Sequence, residues 1–162
     1  MTRTGGGKTR GLTLLEALLA AVVLAMAAGA ILMPFTAGAQ SLAQDARSTL
    51  AVNLAQDLME EILTRAFKDP DTASDDALGR ANWDDVSDYN GFAEGEWAIA
   101  CLDGTRVTDA AAVGLSRRVR VESFYVTGQS QGGPPTFLKV TVEILYRGEV
   151  IVSLKRLVYE NA

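Results

Sequence analysis

Oxygen-bearing side chains cluster in the middle of the chain, where a cation could bind. The cluster consists of Asp84, Asp85, Asp88 and Asn90. Such hard ligands suit calcium, but the EF-hand pattern fails. With Gly91 at the turn position, Val86 and Trp97 occupy the first and last ligand positions, which need carboxylates. We therefore assign no metal and interpret the cluster as part of a solvated acidic loop, with calcium binding as the alternative.

The sequence contains no histidine, which excludes the commonest catalytic systems. Neither a Ser-His-Asp nor a Cys-His nucleophile system can form, and zinc sites that use imidazole are excluded. Cys101 is the only cysteine, so there is no internal disulfide, and we predict that it is a small buried residue on a strand. We expect no catalytic residue, no cofactor and no enzyme activity.

One carboxylate stands out because it lies in an apolar run. Glu16 is the only ionisable side chain between Gly11 and Phe35, although a carboxylate at the centre of a bilayer costs roughly 2.5–3.5 kcal/mol. The nineteen residues from Ala17 to Phe35 would form a helix of about 28 Å, close to the bilayer core of about 30 Å. The run is long enough to cross a membrane.

Residues 1–11 form a basic leader before this run. Its charged residues, Arg3, Lys8 and Arg10, are all positive, and positive charges beside an apolar helix hold the N-terminus in the cytoplasm. An ordinary secretory signal peptide, cut after Ala39, is the alternative, but the apolar region is longer than is usual for one and contains Glu16. The net charge of −5 lacks the basic footprint of nucleic-acid binding.

The six residues Gly-Leu-Thr-Leu-Leu-Glu at 11–16 resemble the prepilin motif of type IV pilins and type II secretion pseudopilins. A short basic leader, a glycine, a hydrophobic residue, glutamate at the fifth mature position and a long apolar helix all match. Leu12 stands where the family most often has phenylalanine. The resemblance implies that a prepilin peptidase cuts between Gly11 and Leu12 and methylates the new amine of Leu12.

The same resemblance implies how the protein assembles. Glu16, together with Thr13, would take part in assembly, with the carboxylate of Glu16 paired to the N-terminal amine of a neighbouring subunit. Pro34 would kink the helix, as a proline does in family members. The implied partners are other pilin or pseudopilin subunits, the peptidase, an inner-membrane assembly platform and membrane lipid. The C-terminal domain would lie outside the cytoplasm.

Four segments follow from these observations: the leader 1–11, a transmembrane or assembly helix 12–35, an amphipathic helix 36–67, and an acidic loop with a sheet over 68–162. The amphipathic segment carries an apolar stripe at a spacing of four: Leu42, Ala46, Leu50, Leu54, Leu58 and Ile62. Asp69-Pro70 should end the helix. Aromatic residues should then pin the acidic loop: Trp83, Tyr89 and Phe92.

Alternation with a period of two predicts four antiparallel strands after the loop. They are a short strand with Trp97, Ile99 and Cys101 on one face, then Ser116–Val126, Leu138–Tyr146 and Val150–Tyr159. A tight turn at Arg147-Gly148-Glu149 joins the last two. We predict an α+β pilin fold, in which a long N-terminal helix packs on this four-stranded sheet.

The predicted function is a structural subunit, and a minor one, of a type IV pilus or a related filament. The loop that includes Trp83-Asp84-Asp85 is similar to accessory pilins of the mannose-sensitive haemagglutinin type. Two alternatives remain open: a type II secretion pseudopilin, and a membrane-anchored or secreted binding domain outside the cytoplasm. In the last case Glu16 would be dispensable.

Overall fold

The computed structural model describes residues 13–68, 79–129 and 135–160. One long helix, α1 (Leu14–Leu63), precedes four strands: β1 (Ala93–Glu94), β2 (Leu115–Phe124), β3 (Phe137–Tyr146) and β4 (Glu149–Val158). Neighbouring strands are antiparallel, in the order β1-β2-β3-β4. The predicted α+β class, with one N-terminal helix and a four-stranded antiparallel sheet, is confirmed.

The chain divides into two units after Leu42. Within the described residues, the first unit contains only Thr13 and the beginning of α1, which is rich in alanine and leucine, the strongest helix formers. The second unit contains the rest of α1 and the whole sheet. The hydrophobic core lies in this second unit.

The buried face of α1 differs from the predicted stripe. The helical residues buried in the core are Ala51, Leu54, Ala55, Leu58, Met59 and Ile62, which follow the three-and-four spacing of a straight helix. A strict spacing of four drifts by about 40° at each step. The predicted stripe therefore leaves the core at its N-terminal end, where Leu42 is 72% exposed and Ala46 is exposed.

The sheet side of the core comes from alternate residues of β2 and β3. The core residues on these two strands are Leu115, Val119, Leu138, Val140, Val142 and Ile144. The turn between β3 and β4 forms as predicted, with Arg147 at φ 51° and Gly148 at φ 85°. Two successive residues with positive φ give a turn whose twist matches that of the flanking strands.

Conservative shortening of a core residue should test which face of α1 is buried. Ile62 is fully buried, whereas Ile31, on the same helix, is 61% exposed. We expect Ile62→Val to lower the free energy of unfolding by about 1 kcal/mol, since it removes one buried methylene, and Ile31→Val to have a much smaller effect. Urea unfolding of both variants in detergent, followed by tryptophan fluorescence, measures this. Equal effects would contradict the assigned face.

Helix α1 ends at Leu63, four residues before the predicted end at Phe67. The chain leaves the helix because Ala66 pairs with the segment around Asp85. The Ala66 amide donates to the Asp84 carbonyl at 3.0 Å, and the Val86 amide donates to the Ala66 carbonyl at 3.0 Å. The predicted stop at residues 69 and 70 lies outside the described residues.

The predicted first strand is wrong. The strand that pairs with β2 is Ala93–Glu94, while the segment around Ile99 folds back on itself through a bridge between Ala100 and Arg106. The Cys101 amide donates to the Thr105 carbonyl at 2.8 Å, and Cys101 is exposed rather than buried. A local hairpin thus takes the backbone groups that a longer β1 would have used.

Candidate functional site

The first residues of α1 form a local hydrogen-bonded cap. The Thr13 hydroxyl accepts from the Glu16 amide at 3.3 Å, and the Thr13 carbonyl accepts from the Ala17 amide at 3.0 Å. Thr13 is therefore the N-cap, and Glu16 occupies the third helical position, as in a capping box. A carboxylate there also faces the positive end of the helix dipole. Glu16 thus has a local reason to occur, besides the assembly role implied by the resemblance.

The apolar part of α1 is exposed along its length. Leu14 is 83% exposed, and Met33 and Phe35 are each 73% exposed. Only Gly29, among residues 13–42, falls outside the exposed class. Contiguous apolar surface on this scale marks a membrane or protein contact. By length and composition α1 could cross a membrane.

Pro34 lies inside α1, which continues through it without a break. Proline has no amide hydrogen, so one helical hydrogen bond is missing at this point. The Thr36 hydroxyl donates to the Met33 carbonyl at 2.9 Å. The cleavage and methylation residues, Gly11 and Leu12, lie outside the described residues.

The acidic cluster is brought together only in part. One carboxylate oxygen from each of Asp84, Asp85 and Asp88 lies within 4.8 Å of the others. Asn90 instead accepts from the Val121 amide at 3.0 Å, and thereby fastens the loop to β2.

Hydrogen bonds to the backbone account for the geometry of this cluster. Asp88 accepts from the amides of Asp84 and Asp85 at 3.1 and 3.2 Å, and Asp85 accepts from the amides of Ser87 and Asp88. Burial raises the pKa of Asp85, which the hydrogen bonds from Ser87 and Asp88 partly offset. These hydrogen bonds give the carboxylates of Asp85 and Asp88 a role in holding the turn together.

Three aromatic rings pin this part of the acidic loop, as predicted. Trp83 packs edge-to-face on Tyr89 and on Phe92, with ring centroids 4.8 and 5.5 Å apart. Tyr89 is fully buried in the core. Residues 69–78, the remainder of the predicted loop, lie outside the described residues.

A buried ionic network links four parts of the second unit. Arg80, in the loop, donates through Nε to Glu61 Oε1 on α1 at 2.8 Å and lies 3.6 Å from Glu94 on β1. Arg117 on β2 pairs with the other oxygen of Glu94. The Tyr89 hydroxyl donates to Glu61 at 2.7 Å. The four charged side chains are between 3% and 14% exposed.

The surroundings of Glu61 and Arg80 favour the charged form of each. Burial by itself raises the pKa of Glu61, but hydrogen bonds from Arg80 and Tyr89 and the charges of Arg80 and Arg117 outweigh it, so this pKa lies below its usual value. Burial, with the hydrogen bond to Glu61, raises the pKa of Tyr89 to about 12. At neutral pH the Glu61–Arg80 pair is therefore charged and Tyr89 keeps its proton, so the hydroxyl remains a donor to Glu61.

This network was not predicted from the sequence. Its charged members follow one another along the chain at intervals of 19, 14 and 23 residues and share no short motif. The one available signal is Arg117, which occupies an inward position of β2 beside Leu115 and Val119. A charged residue on the apolar face of a strand calls for a buried partner.

Comparison with known proteins identifies no family for this chain. No model of a protein family, no curated protein and no solved structure matches this chain. The candidate function therefore depends on the chain's own residues: the capped start of α1 and the exposed apolar surface that follows it.

Proposed function

We propose that this protein is a minor structural subunit of a type IV pilus or a related pseudopilus, assembled through its N-terminal helix. The observation that carries the proposal is the exposed apolar surface of α1, which begins beside a single carboxylate, Glu16. Apolar surface of this extent needs lipid before assembly and other helices afterwards.

The helix has the composition for such packing. Small residues recur along it: Ala20, Ala21, Ala25, Ala27, Ala28, Gly29 and Ala30. In lipid, where tails are as apolar as leucine, small residues let helix backbones approach closely, and packing drives their association. A plain anchor would be richer in bulky side chains.

The charges near the N-terminus suit both the membrane-bound precursor and the assembled subunit. The basic leader retains the precursor in the inner membrane with its sheet domain outside the cytoplasm. Removal of the leader would free the amine of Leu12 only four residues from Glu16. In the filament this amine and the Glu16 carboxylate of a neighbouring subunit would offset each other's burial. The protein would be a building block and not an enzyme.

The N-terminus of the mature protein tests this proposal. We expect intact mass and N-terminal sequencing of the membrane-extracted protein to show a start at methylated Leu12. Gly11→Val should block cleavage, because it places a branched side chain directly before the bond that the peptidase cuts. Gly7→Val makes the same change elsewhere in the leader and should still be cut. A start at Gln40 would mean that a signal peptide had been removed, and the filament proposal would be wrong.

A type II secretion pseudopilin is the rival within the family, and processing does not separate the two. The identity of the neighbouring genes distinguishes the two, because secretion operons and pilus operons contain different genes. An anchored binding domain is the rival outside the family. It requires neither methylation of Leu12 nor the Glu16 carboxylate.

A further inference from the structure

The face of the sheet opposite the core carries a row of three polar residues. Arg120 on β2 lies directly opposite Thr141 on β3, and Thr141 lies directly opposite Lys155 on β4. Directly paired residues of an antiparallel sheet point to the same side, with Cβ atoms about 4.5–5.5 Å apart. Two cations therefore flank one hydroxyl.

The neighbouring cross-strand rows on the same face carry no net charge. Arg118 pairs with Glu143 at 2.6 Å, and Lys139 pairs with Glu122 at 2.6 Å. Glu122 and Glu143, the carboxylates on this face of the described strands, are thus each paired with a cation. Over residues 13–68, 79–129 and 135–160, no carboxylate oxygen lies within 4 Å of the side-chain nitrogens of Arg120 or Lys155.

Arg120 and Lys155 line an open depression of about 510 Å³. Its charged lining consists of Arg118, Arg120, Lys139, Lys155, Glu122 and Glu143, which is four positive against two negative charges. This local excess occurs on a chain whose net charge is −5. The positive field extends over the depression: the pKa of Glu122 lies below its usual value because Lys139 hydrogen-bonds to it and Arg120 and Lys155 lie nearby.

We propose that this depression binds a phosphate group between Arg120 and Lys155, over the hydroxyl of Thr141. A guanidinium group offers a planar pair of donors that matches two phosphate oxygens, and an ammonium group adds a compact charge. The hydroxyl supplies a neutral donor from the floor. A free phosphate and a phospholipid headgroup share this chemistry. All these residues lie in the second unit, so the site does not depend on the filament proposal.

Amide chemical shifts of the full chain, in maltoside detergent, test the site. Titration with inorganic phosphate is expected to move the signals of Arg120, Thr141 and Lys155 in a saturable way. A parallel titration with dihexanoyl phosphatidylglycerol, below its micelle concentration, separates the sources. Saturation with phosphate supports a free phosphate ligand, and saturation with the lipid alone supports a headgroup.

Charge-neutral variants complete the test. Arg120→Gln with Lys155→Gln should weaken binding by about tenfold or more, since it removes two charge-assisted contacts. Arg156→Gln is the matched control, because Arg156 is an exposed cation on β4 that pairs with Val140 of the core and so belongs to the other face. The proposal is wrong if neither ligand saturates, or if the double variant and the control weaken binding equally.

Discussion

Replacing Glu16 by alanine is expected to reduce incorporation of the mature protein into filaments by about a hundredfold, which corresponds to about 3 kcal/mol for one uncompensated charge in an apolar setting. Cleavage after Gly11 should be unchanged, because the peptidase acts before assembly. This result follows from the proposed function, in which the carboxylate offsets the burial of a neighbouring subunit's amine. Mass spectrometry of the membrane pool and of sheared filaments measures both steps.

A second variant separates assembly from helix capping at the same residue. Glutamine also serves at the third position of a capping box, so Glu16→Gln keeps the cap beside Thr13 and removes only the charge. It should assemble as poorly as Glu16→Ala. Thr13→Ala weakens the cap and leaves the carboxylate, so it should lower assembly much less. Normal incorporation of Glu16→Gln would show that capping, not charge pairing, explains this glutamate.

Loss of the Glu61 carboxylate should destabilise the second unit by about 3 kcal/mol, the lower end of the range for removing one partner of a buried ion pair. Glu61 is 10% exposed and accepts from both Arg80 and Tyr89. Its removal leaves a buried guanidinium group and a buried hydroxyl with fewer partners. Urea unfolding of Glu61→Ala, followed by tryptophan fluorescence, measures the loss.

Glu60→Ala is the matched control for this measurement. Glu60 is the preceding residue of α1 and is exposed. The same truncation there changes helix propensity equally but breaks no buried pair, so it should shift the free energy of unfolding by no more than about 0.5 kcal/mol. Equal losses for the two variants would show that the network contributes no stability.

The contribution of Glu61 should also depend on pH in a defined direction. Its folded-state pKa lies below the unfolded value, so its stabilisation is present at neutral pH and is lost as the pH falls through the folded pKa. The difference in unfolding free energy between the natural chain and Glu61→Gln should shrink below about pH 4. Asp85, whose pKa is raised by burial, shifts stability in the opposite sense but is common to both proteins. A constant difference from pH 7 to 3 would contradict the charged pair.

Local sequence patterns were sufficient to predict α1 and most of the sheet. The apolar run before Phe35 and the alternation in β3 and β4 are properties of neighbouring residues, and each predicts its element without reference to the rest of the chain. The predicted first strand had the same alternation, from Trp97 to Cys101, and failed. In the folded chain this segment forms a local hairpin, and Arg80 and Arg117, from distant parts of the chain, both donate to its Ala100 carbonyl.

The sequence by itself determined an apolar helix with one carboxylate near its start, an antiparallel sheet after it, and the resemblance that suggests a filament subunit. The tertiary structure alone decided which helical face is buried, the ionic network around Glu61 and the row of Arg120, Thr141 and Lys155. The physical reason is distance along the chain. Helix and strand patterns arise between near neighbours, whereas these sites require strands and loops far apart in sequence to pair in one register.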